Sequence, residues 1–306
     1  MLAVVRLALS RGWLSAQVTD WYVRRDNYVV AAVECDSPSV RLIVKLEVPG
    51  ERPNRPLDVM ATIARMVRAH TSAPTFDVVA VDVSRREWPW EYLIVTRLPG
   101  VTWQTLYPEL HAPARAAAQR QIGRSAAALH ALRFDSFGGL DANGSVRDGS
   151  SVVTALKRRA LRRIKTPRYQ DIMLGVLEDR AKLFEDVTVS TLCHEDLNPN
   201  NLLFELRDGR PVLSGIVDFE SAWASTGESD MARLELWWFT RGTAVRDGYA
   251  ELATISDGYP MRRPVLQLLW CLEYADLHRT VEHQLVTNAV CAELGMPNVR
   301  FADNGQ

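Results

Sequence analysis

Apolar and polar positions alternate along two early stretches of the chain, NYVVAAVE (27–34) and VRLIVKLEV (40–48). A period of two predicts strands with one buried face, and the turn-rich CDSPS between them predicts a hairpin. In the second stretch Val40, Leu42, Val44, Leu46 and Val48 share one face, while Lys45 lies on the other with Ile43. The period then lengthens. Leu57, Met60, Ile63, Ala64 and Val67 in RPLDVMATIARMVRAH (55–70) recur at helical spacing. FDVVAVDV (76–83) and YLIVTRL (92–98) return to strand-like runs, so this part of the chain reads β-β-α-β-β. Beyond the punctuating LPG (98–100) the pattern is mostly helical. Helices are expected over 114–132, 152–164, 169–187 and 264–286, the last opening on Pro264 as its first helical residue. Before that last helix a polar loop leads into a second predicted hairpin, whose Asp208-Gly209 turn joins two apolar segments.

The expected organisation is therefore a small β-rich lobe over 1–98, a connector near 96–101, and a larger helical lobe over 99–306. Two lobes on a short link imply a cleft between them, where ligands usually bind. The opening MLAVVRLALSRGWLSAQ reads as an amphipathic helix and not a signal peptide, because Arg6 and Arg11 interrupt it and no small-residue cleavage site follows. No run approaches the roughly 18 apolar residues of a membrane span. Composition adds exclusions. With 36 basic and 37 acidic residues the net charge is −1, unlike a bulk nucleic-acid binder. The four cysteines are widely spaced with no CxxC pair, which suggests reduced thiols and a cytoplasmic location. A monomer or weak homodimer is the expected state, without nucleic-acid or membrane partners.

Candidate chemistry concentrates in TLCHEDLNPNNLLFE (191–205). Pro199 disfavours a continuous helix there, and a loop can aim Asp196 and Asn201 at one point. Asp218 follows in IVDFE, at the end of an apolar strand, where a carboxylate favours a cation partner. Asn201 and Asp218 offer hard oxygens of the kind Mg²⁺ takes beside substrate phosphates. Asp196 can then accept a proton from an attacking hydroxyl. Singly, Asp196 and Asn198 also read as turn or cap residues and Asp218 as a strand-end residue bonded to backbone. The ordered set favours the chemical reading. Lys45, in the second strand of a hairpin followed directly by a helix, is placed to contact nucleotide phosphates.

These residues carry a resemblance. LCHEDLNPNNLLF and IVDFESAWASTGESDMARL resemble the aminoglycoside phosphotransferase/choline kinase family of small-molecule kinases. The resemblance implies an α+β, bilobal protein-kinase-like fold: a small antiparallel sheet with one helix, then a larger helical lobe. It implies a kinase using ATP and Mg²⁺, acting on a small-molecule hydroxyl such as that of an aminoglycoside, a sugar or an amino alcohol. By matching position, Asp196 would be the catalytic base, Asn201 and Asp218 the Mg²⁺ ligands, and Lys45 the holder of the α- and β-phosphates. His194 would brace the catalytic loop and Asp230 would brace it from the following helix. Backbone from Thr96 to Leu98 would bind adenine. Arg25 to Tyr28, including Asn27, would cover the phosphates, for no glycine-rich loop occurs. Where the family often has Gly after the His, this chain has Glu195, which either faces solvent or substrate or supports the site from a second shell. Glu220 reads either as a metal or second-shell group or as a salt-bridge partner. Lys45 could pair with Asp58 or Glu51. DFE in place of Asp-Phe-Gly points away from a protein kinase, and the absence of GxxxxGK[ST] excludes a P-loop kinase. A non-catalytic nucleotide-binding sensor is the alternative.

Weaker signals are read blandly. His130 in AALHAL is expected in the core or behind the site, and Trp223, Trp237, Trp238 and Trp270 mostly in the core. KRRALRRIK (157–165) is expected as a solvated basic helix face. Glu228, Glu235, Glu273 and Asp276 could line a pocket for a cationic acceptor or belong to ordinary helix surfaces.

Overall fold

A computed structural model describes residues 16–25, 28–36, 39–47, 56–86, 88–237, 239–275 and 280–301. In chain order its strands are β1 (Ala16–Arg25), β2 (Tyr28–Asp36), β3 (Ser39–Glu47), β4 (Val78–Asp82), β5 (Tyr92–Thr96), β6 (Val101–Thr102), β7 (Arg133–Phe134), β8 (Phe137–Leu140), β9 (Val146–Ser150), β10 (Ser190–Cys193), β11 (Leu202–Arg207), β12 (Arg210–Ile216) and β13 (Trp223–Ser225). Its longer helices are α1 (Leu57–His70), α2 (Ala112–His130), α3 (Val152–Arg163), α4 (Pro167–Asp179), α5 (Glu228–Leu234), α6 (Thr243–Ala250), α7 (Tyr259–Glu273) and α8 (Val281–Glu293). The chain forms two compact units, one of residues 1–118, 140–145 and 199–222, the other of 119–139, 146–198 and 223–306.

The first unit holds an antiparallel sheet in the order β1-β2-β3-β5-β4. The expected hairpin is there, with Cys35 opposite Val40 and Asp36 opposite Ser39. Leu42, Val44 and Leu46 face the core with Val33, Cys35, Tyr92 and Ile94. β1 was not expected. Its register shifts at Val18/Asp20 and Trp21/Val23 interrupt the period of two, so the sequence carries no clean alternation to read. The order is thus β-β-β-α-β-β, and Ala16 and Gln17, expected at the end of a helix, are strand. The rest of that expected helix lies outside the described residues. α1 buries Leu57, Met60, Ala61, Ile63, Ala64 and Val67. Asp58 in its first turn and Arg68 and His70 in its last suit the helix dipole.

The same unit contains a three-stranded sheet, β12-β11-β6. Asp208 and Gly209 both have positive φ, 50° and 73°, between the paired Arg207 and Arg210. That is the primed two-residue turn whose twist matches a hairpin. Gly100 has φ +98°, and a Cβ there would lie 2.1 Å from the Phe204 carbonyl oxygen. Only glycine lets the chain pass β11 at that point.

The second unit combines the sheet β7-β10-β13-β8-β9 with helices α3 to α8 and the part of α2 from Gln119 on. One expected element is corrected. The segment 264–286 is not one helix but parts of α7 and α8. α7 starts earlier, at Tyr259, with a proline in its first turn and Pro264 inside it. It ends where the Tyr274 N–H donates to the Trp270 carbonyl at 3.2 Å. Thr280 Oγ1 then caps α8 by accepting from the His283 N–H at 3.1 Å. Neither glycine nor proline marks this boundary in the sequence. Among the described residues no helix is long and apolar enough to cross a membrane.

Candidate active site

In the first unit, β3 carries Lys45 on the face opposite its core residues, as the alternation predicts. Its side chain is 14% exposed and forms an ion pair with Glu220, with Asp218 Oδ1 at 4.0 Å. The ammonium also lies 4.4 Å from the centre of the Tyr28 ring. The carboxylate partner of Lys45 thus comes from beyond β12. Asp58 Oδ1 instead accepts from the Val59 N–H, and Glu51 lies outside the described residues. Glu220 is that partner.

Asp218 sits just past β12 in the left-handed region, φ 68° and ψ 62°, a conformation a non-glycine residue adopts at a cost of roughly 1–3 kcal/mol when its surroundings hold it there. Several contacts do so. The Ile216 N–H donates to the Pro74 carbonyl at 2.8 Å, and Thr75 Oγ1 donates to the Ile216 carbonyl at 2.8 Å. Phe219 packs edge-on against Phe76 at 6.2 Å. The Val217 N–H donates to the Asn201 carbonyl at 3.0 Å, so Asn201 and Asp218 flank one backbone bond. Asn201 is buried, and the Asp218 side chain is 42% exposed. An amide and a partly open carboxylate beside an ammonium are hard donors that fit Mg²⁺ shared with phosphate oxygens.

At the connector, the Thr96 N–H donates to the Asp77 carbonyl, and Thr96 Oγ1 accepts from the Asp77 N–H, each at 2.9 Å. The Arg97 N–H donates to the Arg41 carbonyl at 2.8 Å. The Leu98 N–H makes no hydrogen bond among the described residues, which leaves it to donate to a ligand. Asn27 lies outside the described residues. Arg25 and Tyr28, on either side, are paired across the β1–β2 hairpin.

In the second unit, β10 delivers the chain into the loop that begins at His194. Asp230, fully buried on α5, holds it: its Oδ2 accepts from the His194 N–H and its Oδ1 from the Glu195 N–H, each at 2.7 Å. His130 Nε2 donates a third bond to Asp230, an acceptor-only carboxylate, at 3.1 Å, and its Nδ1 bonds Tyr249 Oη at 2.8 Å. Burial alone would raise the Asp230 pKa, but the His130 bond, the nearby imidazoles and the backbone donor outweigh it and hold the carboxyl below its ordinary value. Cys193 lies beside this group, its thiol pushed up by burial and neighbouring carboxylates. The three side chains together have metal-ligand chemistry, yet Asp230 and His130 spend their ligand atoms on the brace. His194 Nδ1 accepts from the Asp196 N–H at 3.2 Å, tightening the turn.

Glu195 is turned away from solvent. It is 1% exposed, with φ 60°. Its carboxylate pairs with Arg159 and accepts from Ser229 Oγ at 3.0 Å. Arg159 also donates from Nη2 to Glu273 at 2.8 Å. Arg233 donates to the Glu195 carbonyl and to Asp196 Oδ1. Burial lowers the pKa of both arginines, but their carboxylates prevail and keep them charged. Burial likewise acts to raise Glu273, and Arg159 brings it below its ordinary value.

A profile described as "Phosphotransferase enzyme family" matches residues 23–265. The chain belongs to that family. It is a phosphotransferase, and similar solved structures show its kinase-like fold. The aminoglycoside phosphotransferase APH(4)-Ia is similar at 15% identity and TM-score 0.68, over 96% of this chain and 99% of that one. A protein assigned as a fructosamine-3-kinase from Thermobifida fusca YX-ER1 is similar at 20% identity and TM-score 0.67, over 96% and 99%. A thermostable mutant of APH(4)-Ia, in ternary complex with AMP-PNP and hygromycin B, is similar at 16% identity and TM-score 0.60, over 91% and 90%.

Within this phosphotransferase, the sequence reading missed Arg159 and Arg233. Arg159 was counted in a solvated basic face, and the structure corrects this: it is 2% exposed. The buried residues of α3 are Val152, Ala155, Leu156, Arg159 and Ala160, so Arg159 falls on the apolar stripe at helical spacing, a signal outvoted by the surrounding charges. The acids offered as a cationic-acceptor pocket are also taken. Glu228 accepts two bonds from Arg262 at 2.7 Å, Glu235 pairs with Arg246, and Glu273 pairs with Arg159. Asp276 lies outside the described residues.

Proposed function

We propose that this phosphotransferase moves the γ-phosphoryl of ATP, bound with Mg²⁺, to a hydroxyl of a small molecule. One observation carries the reading. Asp218 is held in a left-handed conformation beside Lys45 and linked by backbone to Asn201, a donor set suited to a metal-bound triphosphate. Asn201 and Asp218 hold the cation, which neutralises charge on the phosphate oxygens. Lys45 turns from Glu220 toward the α- and β-phosphates, a role suited to a mobile ammonium. Leu98 donates its free N–H to adenine. In this division of labour residues 1–98 serve the nucleotide and 99–306 serve catalysis.

Asp196 acts as general base. It takes the proton of the acceptor hydroxyl as that oxygen bonds to the γ-phosphorus, and the bond from phosphorus to the β,γ-bridging oxygen breaks to release ADP. His194 and Asp230 hold the loop that presents it. The nucleotide analogue and antibiotic bound by the APH(4)-Ia mutant support a nucleotide and a hydroxyl-bearing acceptor here. The pairing of Glu228, Glu235 and Glu273 with arginines gives no preference for a polycationic acceptor, so sugars and amino alcohols stand beside aminoglycosides.

A panel of hydroxyl metabolites and antibiotics, scored by ADP release with Mg-ATP, tests the proposal. Asp196→Ala is expected to lower turnover by roughly 10²–10⁴, the usual worth of a general base, while nucleotide binding measured by calorimetry persists. Unchanged turnover in that variant would sink the assignment.

A further inference from the structure

The residues on either side of the loop's second peptide are tied to one guanidinium. Arg233 donates from Nη1 to the Glu195 carbonyl and from Nη2 to Asp196 Oδ1. Its side chain is 3% exposed, and the guanidinium carbon lies 5.1 Å from the centre of the Trp270 ring and 5.0 Å from that of Tyr274. Trp270 and Tyr274 stack on each other at 5.2 Å and 27°. A planar cation fixed against two rings has little freedom to follow a moving carboxylate.

Glu195 is held through its N–H, its carbonyl and one carboxylate oxygen. Asp230 takes its N–H, Arg159 and Ser229 take its carboxylate, and Arg233 takes its carbonyl. Arg159 is fixed in turn by Glu273. The result is a buried series of alternating charge, Glu273, Arg159, Glu195, Arg233, Asp196, ending on a carboxylate whose side chain is 17% exposed.

From this we infer that Arg233 is a positioning residue: by holding Oδ1 of Asp196 it fixes the orientation in which the carboxylate meets the acceptor hydroxyl. The inference rests on the reading of Asp196 as general base. A base must lie within about 2.6–3.2 Å of the proton it takes, and a misplacement of about 1 Å costs on the order of 10²-fold in rate. A free aspartate samples several rotamers. One with Oδ1 pinned to an immobile guanidinium keeps a single orientation.

The sign of the effect separates positioning from its rival. A guanidinium on a carboxylate also weakens it as a base, so if basicity dominated, removing Arg233 would speed the reaction. Positioning predicts the reverse. Arg233→Met is expected to lower ADP release from Mg-ATP, with water or an acceptor from the panel, by roughly 10–100-fold. Nucleotide affinity by calorimetry should stay within about twofold, since Lys45, Asn201 and Asp218 are untouched. Arg233→Lys, whose single ammonium can replace one of the two bonds, should recover part of the loss.

A double-mutant cycle supplies a readout that needs no activity. Urea midpoints of Arg233→Met, Asp196→Asn and the double variant should be non-additive. Wild-type or faster turnover in Arg233→Met overturns the inference. So does parallel loss of turnover and nucleotide affinity, or additive midpoints. If Arg233→Met does not fold, Arg233→Lys decides: full activity there with weaker folding marks a merely structural role and overturns the inference. Wild-type turnover in Asp196→Asn would defeat the general-base reading instead, and the midpoints would still report whether Arg233 is coupled to Asp196.

Discussion

At the scale of single residues, Glu195 shows how a loop position is chosen by its surroundings. Its φ of 60° is a conformation that disfavours side chains by roughly 1–2 kcal/mol. Glycine would remove that cost. Yet the Glu195 carboxylate is the partner of Arg159 and Ser229, and stripping one partner from a buried ion pair costs roughly 3–5 kcal/mol. Arg159 keeps Glu273, which places the loss near the lower end. Glu195→Gly is therefore expected to destabilise the protein by about 2 kcal/mol, read as a lower urea midpoint. Glu195→Gln, which keeps an oxygen for Ser229 but loses the charge, should fall between. A midpoint raised in Glu195→Gly would show that strain outweighs the ion pair. The sequence marks this position as unusual because a carboxylate stands beside the proposed base. Its direction was not legible, since Arg159, Ser229 and Arg233 are brought to it only by folding.

At the scale of elements, legibility followed the regularity of the backbone. β2, β3 and α1 keep an unbroken period, and the alternation that puts Lys45 opposite Leu42, Val44 and Leu46 holds in the sheet. β1 has two register shifts and was missed. The division between α7 and α8 carries no glycine or proline, so the sequence reads as one helix there. Arg159 belongs to a helix found correctly but sits on its apolar stripe. Turn chemistry was easier, because Asp-Gly and Leu-Pro-Gly name their own geometry. Gly100 and Gly209 make the point testable with one substitution. Both have positive φ, but a Cβ at Gly209 meets nothing within 4 Å, whereas one at Gly100 would lie 2.1 Å from the Phe204 carbonyl oxygen. Gly209→Ala should cost only the left-handed penalty of roughly 1–2 kcal/mol. Gly100→Ala must also push β11 away from β6 and should cost clearly more. Thermal unfolding of the two variants gives the comparison, and equal shifts would refute it.

At the scale of the whole molecule, the proposed machinery is divided between two compact units, and the chain passes from one to the other between Asn198 and Pro199. Each half is organised by its own hydrogen bonds, around Asp218 in one unit and Asp230 in the other. In the second unit the organising groups are buried carboxylates held ionised by donors and cations, which ties folding to pH. Asp230 and Glu273 both have folded pKa values below their ordinary 3.8 and 4.5. For such groups the unfolded chain binds more protons over the interval between the two values, so stability rises with pH there. Their contribution is fully present above the unfolded values and is lost as the pH falls through them toward the folded ones. The urea midpoint should thus be level, so far as these groups decide it, from neutral pH to about 5. Below that it should fall, at up to about 1.4 kcal/mol per pH unit for each carboxyl that takes up a proton. Asp230→Asn should lower the midpoint at neutral pH, because His194, Glu195 and His130 all address that carboxylate, and should flatten the acid limb. If the acid limb keeps its full slope in Asp230→Asn, the acid sensitivity belongs to other groups and the brace around the loop is not what acid dissolves first.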